Sequence, residues 1–328
     1  MPISLNWRAQ LRLLMWGLLL PICPQAMAQS WPSQSITIVS PYPAGGITDQ
    51  LSRIVAGELS KRLGQTVLVE NKLGAGGAIA MQAVARAPHD GYTLVMGGSA
   101  VSTILPAINR NISYDPIRDF EPIGYVAALP MMMVIPAAIP AVNLKDFIQY
   151  AKDHSGKLNC GHHGPGPGTH LACLQFAKLT QTTITDVPYK GAPQVNTDLL
   201  TNRVQIYFGT LPTEIALVRS GQLRTFGVAS DARAPGAPDI PTLTEQGVSG
   251  LNLDSWNALY APAGTPKPVI DRLSAELLDL LSVPSVRERI EATGSVLHPG
   301  SAEALRKLTE QEFKNYKKLV TENNIRLD

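Results

Sequence analysis

From residue 36 onward the chain alternates short β-rich runs with stretches of helical period. Ile36-Thr-Ile-Val-Ser40 is apolar and β-branched; Leu51, Ile54, Val55, Leu59 and Leu63 then recur at helical spacing, and Gly64 closes the stretch as a C-cap would. Val67-Leu-Val-Glu70, a helix through about Ala87, an Asp90-Gly91 turn and Tyr92-Thr-Leu-Val-Met96 complete a βαβαβ pattern. That order predicts a parallel sheet with helices on both faces. Residues 120–136 are nearly uncharged and read as one or two extended strands, the form that a crossing between two lobes requires. A second α/β series follows, with helices from about Leu144 and Thr169 and strands near 158–160, 185–187, 204–208 and 223–229. Residues 253–260 are extended again and return the chain toward the first lobe, and three helices fill most of the remainder. The expectation is an α/β fold of two lobes, 29–126 with 228–328 and 127–227, each a mainly parallel sheet flanked by helices. A ligand cleft lies between them, at the C-terminal ends of the strands.

The first 28 residues break this rhythm. Arg8 and Arg12 flank the start of an apolar run over 11–22, and Ala26-Met-Ala28 has the small-x-small form of a signal cleavage site, so cleavage after Ala28 is expected. The run is short for a bilayer span, and bulky Ile22 before Cys23 argues against a lipid-anchored cysteine. This reading puts the mature chain in the periplasm, as a monomer without stable membrane insertion. The whole chain carries 28 basic and 26 acidic residues, and both excess arginines lie in the leader. A formally neutral mature chain gives no support for a nucleic-acid or membrane-surface partner. The 45% hydrophobic content fits a globular protein.

Candidate chemistry centres on Pro41-Tyr-Pro-Ala-Gly-Gly-Ile-Thr-Asp49, between the first strand and the first helix. Prolines stop the strand, Gly45 and Gly46 let the backbone turn with its amides exposed, and Thr48 is placed to cap the helix. A strand, a Gly-rich turn and a helix N-terminus make an anion cradle. Three further Gly-rich turns follow strands: Gly97-Gly-Ser99, Gly161-His-His-Gly-Pro-Gly-Pro-Gly-Thr-His170 and Pro188-Tyr-Lys-Gly191. Any one is explained as a tight turn; four, two per lobe, read as two halves of one cleft. Backbone amides and the hydroxyls of Thr48, Ser99 and Thr169 would there hold a carboxylate or phosphate. Asp49 is either a first-turn acid favoured by the helix dipole or a ligand-facing acid, which would repel an anion unless it ordered water.

Catalytic readings find little support. No turn matches G-x-x-x-x-G-K-[ST], the G-x-G-x-x-G spacing is absent from 164–168, and there is no G-x-S-x-G elbow. No cofactor and no catalytic residue are expected. Cys160, His162, His163, His170 and Cys173 leave three readings open: a zinc or copper site, a Cys160–Cys173 disulfide, or two separate thiols. Trp256 is either core or a cleft wall.

The motifs P-x-P-A-G-G-x-T-D, V-E-N-K-x-G-A-G-G, D-G-Y-T-L, the Gly164-to-His170 turn, V-P-Y-K-G and S-W-x-x-L-x-A-P-A-G-T-P-K-P follow the leader in that order. In this the chain resembles the Bug-type extracytoplasmic solute receptors of the tripartite tricarboxylate transporter system, over essentially all of 31–328. The resemblance implies a type II periplasmic-binding-protein fold, and a receptor that closes over a small organic acid and delivers it to membrane permease subunits. It points to Ala44, Gly45, Gly46, Thr48, Asp49, Ser99, Gly164, Gly166, Gly168, Thr169 and His170 for the carboxylate, with Tyr189, Gly209, Thr210 and Trp256 around the rest of the ligand. Many such receptors carry an acid or amide near 208–210, where Gly209 is expected to leave the wall uncharged. His162 and His163 replace the small polar residues usual in the second-lobe Gly-rich turn. Two other readings remain: an exported enzyme or metal-binding protein built on the Cys160/His162/His163/His170/Cys173 cluster, and a sensor subunit for a membrane signalling protein.

Overall fold

A computed structural model describes residues 31–162, 168–189, 191–251 and 253–322. The compact unit that carries everything below starts at Gln34. Its first part is β1 (Ile36–Ser40), α1 (Ile47–Leu63), β2 (Val67–Asn71), α2 (Ala78–Ala85) and β3 (Thr93–Gly98). A single π-helical turn, Ala100–Ile104, runs into the short α3 (Leu105–Ile108), and β4 (Phe120–Leu129) follows. The second part is β5 (Met131–Pro136), α4 (Leu144–Asp153), β6 (Leu158–His162), α5 (Gly168–Thr180), β7 (Ile184–Pro188), α6 (Ala192–Leu200), β8 (Ile206–Thr210), α7 (Leu211–Arg219) and β9 (Leu223–Val228). The chain then returns through β10 (Ser255–Pro262), α8 (Lys267–Ser282), α9 (Pro284–Glu291), β11 (Val296–Ser301) and α10 (Ala302–Glu322).

These strands form two sheets, in the orders β11-β4-β10-β3-β1-β2 and β7-β6-β8-β5-β9. Each contains the expected parallel triad, β2-β1-β3 and β7-β6-β8, produced by βαβ crossovers. Each then departs from a mainly parallel plan, and the sheets are mixed. β10 pairs antiparallel with β3 and β4, and β5 pairs antiparallel with β8 and β9. The reason is connectivity: β5 and β10 each arrive from the other sheet and enter beside the triad running against it.

The apolar run over 120–136 divides at Pro130, which has no N–H for a ladder. β4 ends on one side of it in the six-stranded sheet, and β5 starts on the other side in the five-stranded sheet. Backbone bonds tie the two crossings together: Ala229 N–H donates to the Met131 carbonyl at 2.7 Å, and Leu253 N–H to the Ala229 carbonyl at 2.9 Å. A small apolar cluster joins α5 to the elements around the first sheet, with Leu171 packed on Ile104 and Ile108 beside Leu319 and Val320 of α10. Among the described residues, no helix is long and apolar enough to cross a membrane.

Candidate functional site

The 41–49 turn is built around Asp49. Gly45 sits at φ +84°, and Gly46, in extended conformation, is the residue before the first helical turn; its carbonyl accepts the N–H of Gln50 at 2.9 Å. Thr48 therefore does not cap α1, as its sequence position suggested. It lies inside the first turn, where no side chain caps the helix and the leading amides lack internal acceptors. Asp49 is 2% exposed and does not point outward as a ligand contact. Its carboxylate accepts from Gly45 N–H at 2.9 Å, Arg53 Nε at 2.9 Å and Asn71 Nδ2 at 2.8 Å. Burial pushes its pKa up, but the bonds from Arg53, Gly45 and Asn71 outweigh that and hold it below the usual carboxylate range. The acid thus shapes the turn, and its charge is compensated by Arg53. Gly45's amide is already engaged in that brace, while Ala44 and Gly46 lie exposed on the turn.

Thr48 links this turn to the sheet, because its hydroxyl donates to Asn257 Oδ1 at 2.9 Å. Asn257 stands opposite Gly98 in the β10–β3 ladder. A Cβ on Gly98 would come within 2.3 Å of the Trp256 carbonyl, so only glycine permits this approach of the two strands. Ser99 follows, buried, with its hydroxyl 3.2 Å from Ser255 Oγ and accepting the Trp256 N–H at 3.4 Å. It opens the π-helical turn, an irregularity common at functional positions. Asn257 was missed by sequence reasoning, although it is an unspecified position of the S-W-x-x-L motif. Trp256 itself is core: it packs near Tyr125 and Leu305, and its Nε1–H donates to Glu312 at 2.9 Å.

On the second sheet, α5 begins at Gly168, whose Cβ position lies 3.9 Å from Ile104 Cδ1 and 3.8 Å from Met131 Sδ. The start of α5 thus touches the π-helical turn that Ser99 opens. Thr48, Asn257, Ser99, Ile104 and Gly168 form a connected path between the N-termini of α1 and α5. Thr169 and His170 are buried in the first turn of α5. Burial lowers the pKa of His170, the neighbouring His162 lowers it further, and Asp186 opposes both. His163, Gly164 and Gly166 lie outside the described residues.

The remaining positions are placed as follows. Cys160 and Cys173 are joined by a disulfide, with Cα atoms 5.9 Å apart, so neither sulfur is available as a thiolate ligand. The Tyr189 hydroxyl donates to Asp198 of α6 at 2.7 Å, and its N–H donates to the His162 carbonyl at 2.8 Å. Thr210 precedes α7, its hydroxyl 3.0 Å from that of Thr213. The wall at Gly209 is not devoid of ionisable groups. A Cβ there would lie 2.4 Å from Glu214 Cγ and 2.6 Å from its Oε1, so the missing side chain is the space that Glu214 fills. Glu214 is fully buried, accepts from Thr213 Oγ1 at 2.8 Å and Asn196 Nδ2 at 3.4 Å, and burial raises its pKa despite those bonds. The sequence hid this acid because it lies five residues from Gly209, one helical turn into α7.

Residues 51–325 match the sequence profile described as "Tripartite tricarboxylate transporter family receptor". An adipate-bound protein of R. palustris is 31% identical and superposes with a TM-score of 0.76, covering 90% of this chain and 99% of its own. MatC of Rhodopseudomonas palustris, with malate bound, is 30% identical with a TM-score of 0.71, over 88% of this chain and 100% of its own. The periplasmic binding protein BugD is 32% identical with a TM-score of 0.72, over 90% and 99%.

Proposed function

The chain belongs to the tripartite tricarboxylate transporter receptor family, and on that premise we propose that it captures a small dicarboxylate between its two sheets. As a member of that family it is a solute-binding receptor. The observation that carries the proposal is the path linking the N-termini of α1 and α5. Both are ends where amides lack internal acceptors and the helix dipole favours an anion. One carboxylate of the ligand would take the amides after Gly46, the Thr48 hydroxyl and the first turn of α5. Asn257, which Thr48 already contacts through its oxygen, would offer its amide nitrogen. The ligands of the adipate- and malate-bound relatives motivate the choice of a dicarboxylate. Glu214 behind Gly209 would favour a second end that a protonated carboxyl can meet, rather than an apolar ring.

Holding by amides and hydroxyls, without a nucleophile or base at the turn, suits capture and release rather than catalysis. Lobe closure would follow from tighter contact of the ligand with the closed state. Cleavage after Ala28, residence in the periplasm and delivery to a membrane permease complete the proposed role. Isothermal titration of the mature chain, refolded from denaturant to remove carried-over solute, tests it with malate, succinate, adipate and benzoate. Micromolar binding of at least one dicarboxylate is expected, weakened about tenfold in T48A and in N257A, the loss of one hydrogen bond each. Wild-type affinity in both variants would refute the site, and binding of benzoate alone would refute the ligand class.

A further inference from the structure

We propose that His162, His170 and Asp186 form a binding site for one divalent transition-metal ion of the zinc class. The three come from three elements that meet at one end of the second sheet. His162 closes β6, His170 lies in the first turn of α5, and Asp186 is on the edge strand β7. Asp186 is the register partner of Cys160 in the parallel ladder, and Cys160 is two residues before His162. The alternation of a strand therefore puts Cys160, His162 and Asp186 on the same face, the one that α5 covers. On α5, His170 and Cys173 are three residues apart and share a helical face.

The disulfide between Cys160 and Cys173 consequently does more than close a loop. It bolts β6 to α5 beside the two imidazoles and fixes their separation. Among the described residues these three side chains are the group whose donors converge closely enough to hold an ion, with one donor atom from each lying within 4.8 Å of the others. His162 Nε2 is 3.4 Å and His170 Nε2 3.7 Å from the same oxygen, Asp186 Oδ2. The imidazole rings stack with centroids 4.3 Å apart and planes 27° from parallel. In that arrangement the two Nε2 atoms lie on the same side of the stack, beside Asp186. Opposed rotations about the Cβ–Cγ bonds, a soft torsion for histidine, turn both toward a point near the carboxylate.

Two imidazoles and one carboxylate match zinc and its neighbours cobalt and nickel. Magnesium and calcium prefer all-oxygen shells, and copper(I) prefers sulfur. The imidazoles are buried, whereas the Asp186 side chain is half exposed, which gives the ion an entry route and leaves room for water to complete its shell. Bound there, the ion would tie edge strand β7 to β6 and α5.

The test uses the mature full chain, free of any affinity tag and with its disulfide intact. Zinc chloride titrated by calorimetry, and cobalt(II) followed by its visible d–d bands, should each report one equivalent per chain. The cobalt spectrum should lack thiolate charge-transfer absorption. Altering outer-shell partners alone costs metal sites about 10–100-fold in affinity, so D186N and H162Q, which remove ligands, should lose at least that much. Asp186 is exposed enough for D186N to fold, which far-UV circular dichroism checks, and this keeps the test decisive even if H162Q does not fold. Absence of a stoichiometric zinc equivalent in the wild type overturns the proposal. So does zinc affinity in folded D186N equal to wild type, which would mark the binding as adventitious.

Discussion

Asp49 shows how one buried side chain can organise a turn from within. Three donors, one each from the turn, α1 and β2, converge on it, and its lowered pKa is the thermodynamic trace of that brace. A lowered folded value means that Asp49 contributes stability above the ordinary carboxylate range, lost as pH falls through its folded value below about pH 4. D49N replaces an acceptor oxygen with a donor facing Gly45 N–H and Arg53. We expect a loss of about 1–3 kcal/mol in urea unfolding at pH 7, with most of that difference gone below pH 4. An equal loss at both pH values would show that packing, not charge, is the cause. At this scale the sequence was half legible. The residue types of the cradle, glycine, threonine and an acid in the first turn, were readable. The inward turn of Asp49 and the role of Asn257 depend on Asn71 and Thr48 as partners, 22 and 209 positions away respectively, and no local pattern encodes a partner.

Among the elements, β6 and α5 form the unit that carries the second-sheet residues of the candidate site. The disulfide joins residues 13 positions apart, and a loop of that size corresponds to about 3 kcal/mol of stability in the chain-entropy account. The C160S/C173S double variant should unfold at correspondingly lower denaturant, and reduction of the wild type should reproduce the same shift. A reduced wild type as stable as the oxidised one would contradict this. The strand and helix pattern announced both elements, and spacing allowed the disulfide without choosing it over free thiols or a metal. The choice needed Cys160 on the α5 face of its strand and Cys173 on the sheet face of its helix. A sheet register decides that, not a sequence interval.

Across the whole molecule, the crossings at Pro130 and near Ser230 border a cavity of about 290 Å³ lined by Tyr125, Pro130, Ser230, Asp254, Trp256 and Glu312. Burial pushes Glu312 up to about 7 despite bonds from Trp256 and Thr103, with Asp254 adding repulsion. Burial likewise pushes Asp254 up to about 6, with Ser230 bonding opposing and Asp231 adding. Raised folded values work against the native state when the acids ionise: their contribution is full below the ordinary values near 4 and is lost as pH rises through 6 to 7. E312Q keeps an acceptor for Trp256 Nε1–H and removes the charge. Its melting temperature should exceed that of the wild type by about 2–4 °C at pH 8, the gain shrinking toward zero near pH 4.5. A constant difference across that range would refute the titration. Taken alone, the sequence determined the alternation of strands and helices, the two βαβ triads, the export signal as an expectation and the receptor resemblance, because each is written in local period or contiguous motif. Tertiary structure decided the rest: the antiparallel strands that make both sheets mixed, the path from α1 to α5, the acid behind Gly209 and the meeting of His162, His170 and Asp186. Those depend on which chain segments lie side by side, and that is settled only when the two sheets fold and exchange strands.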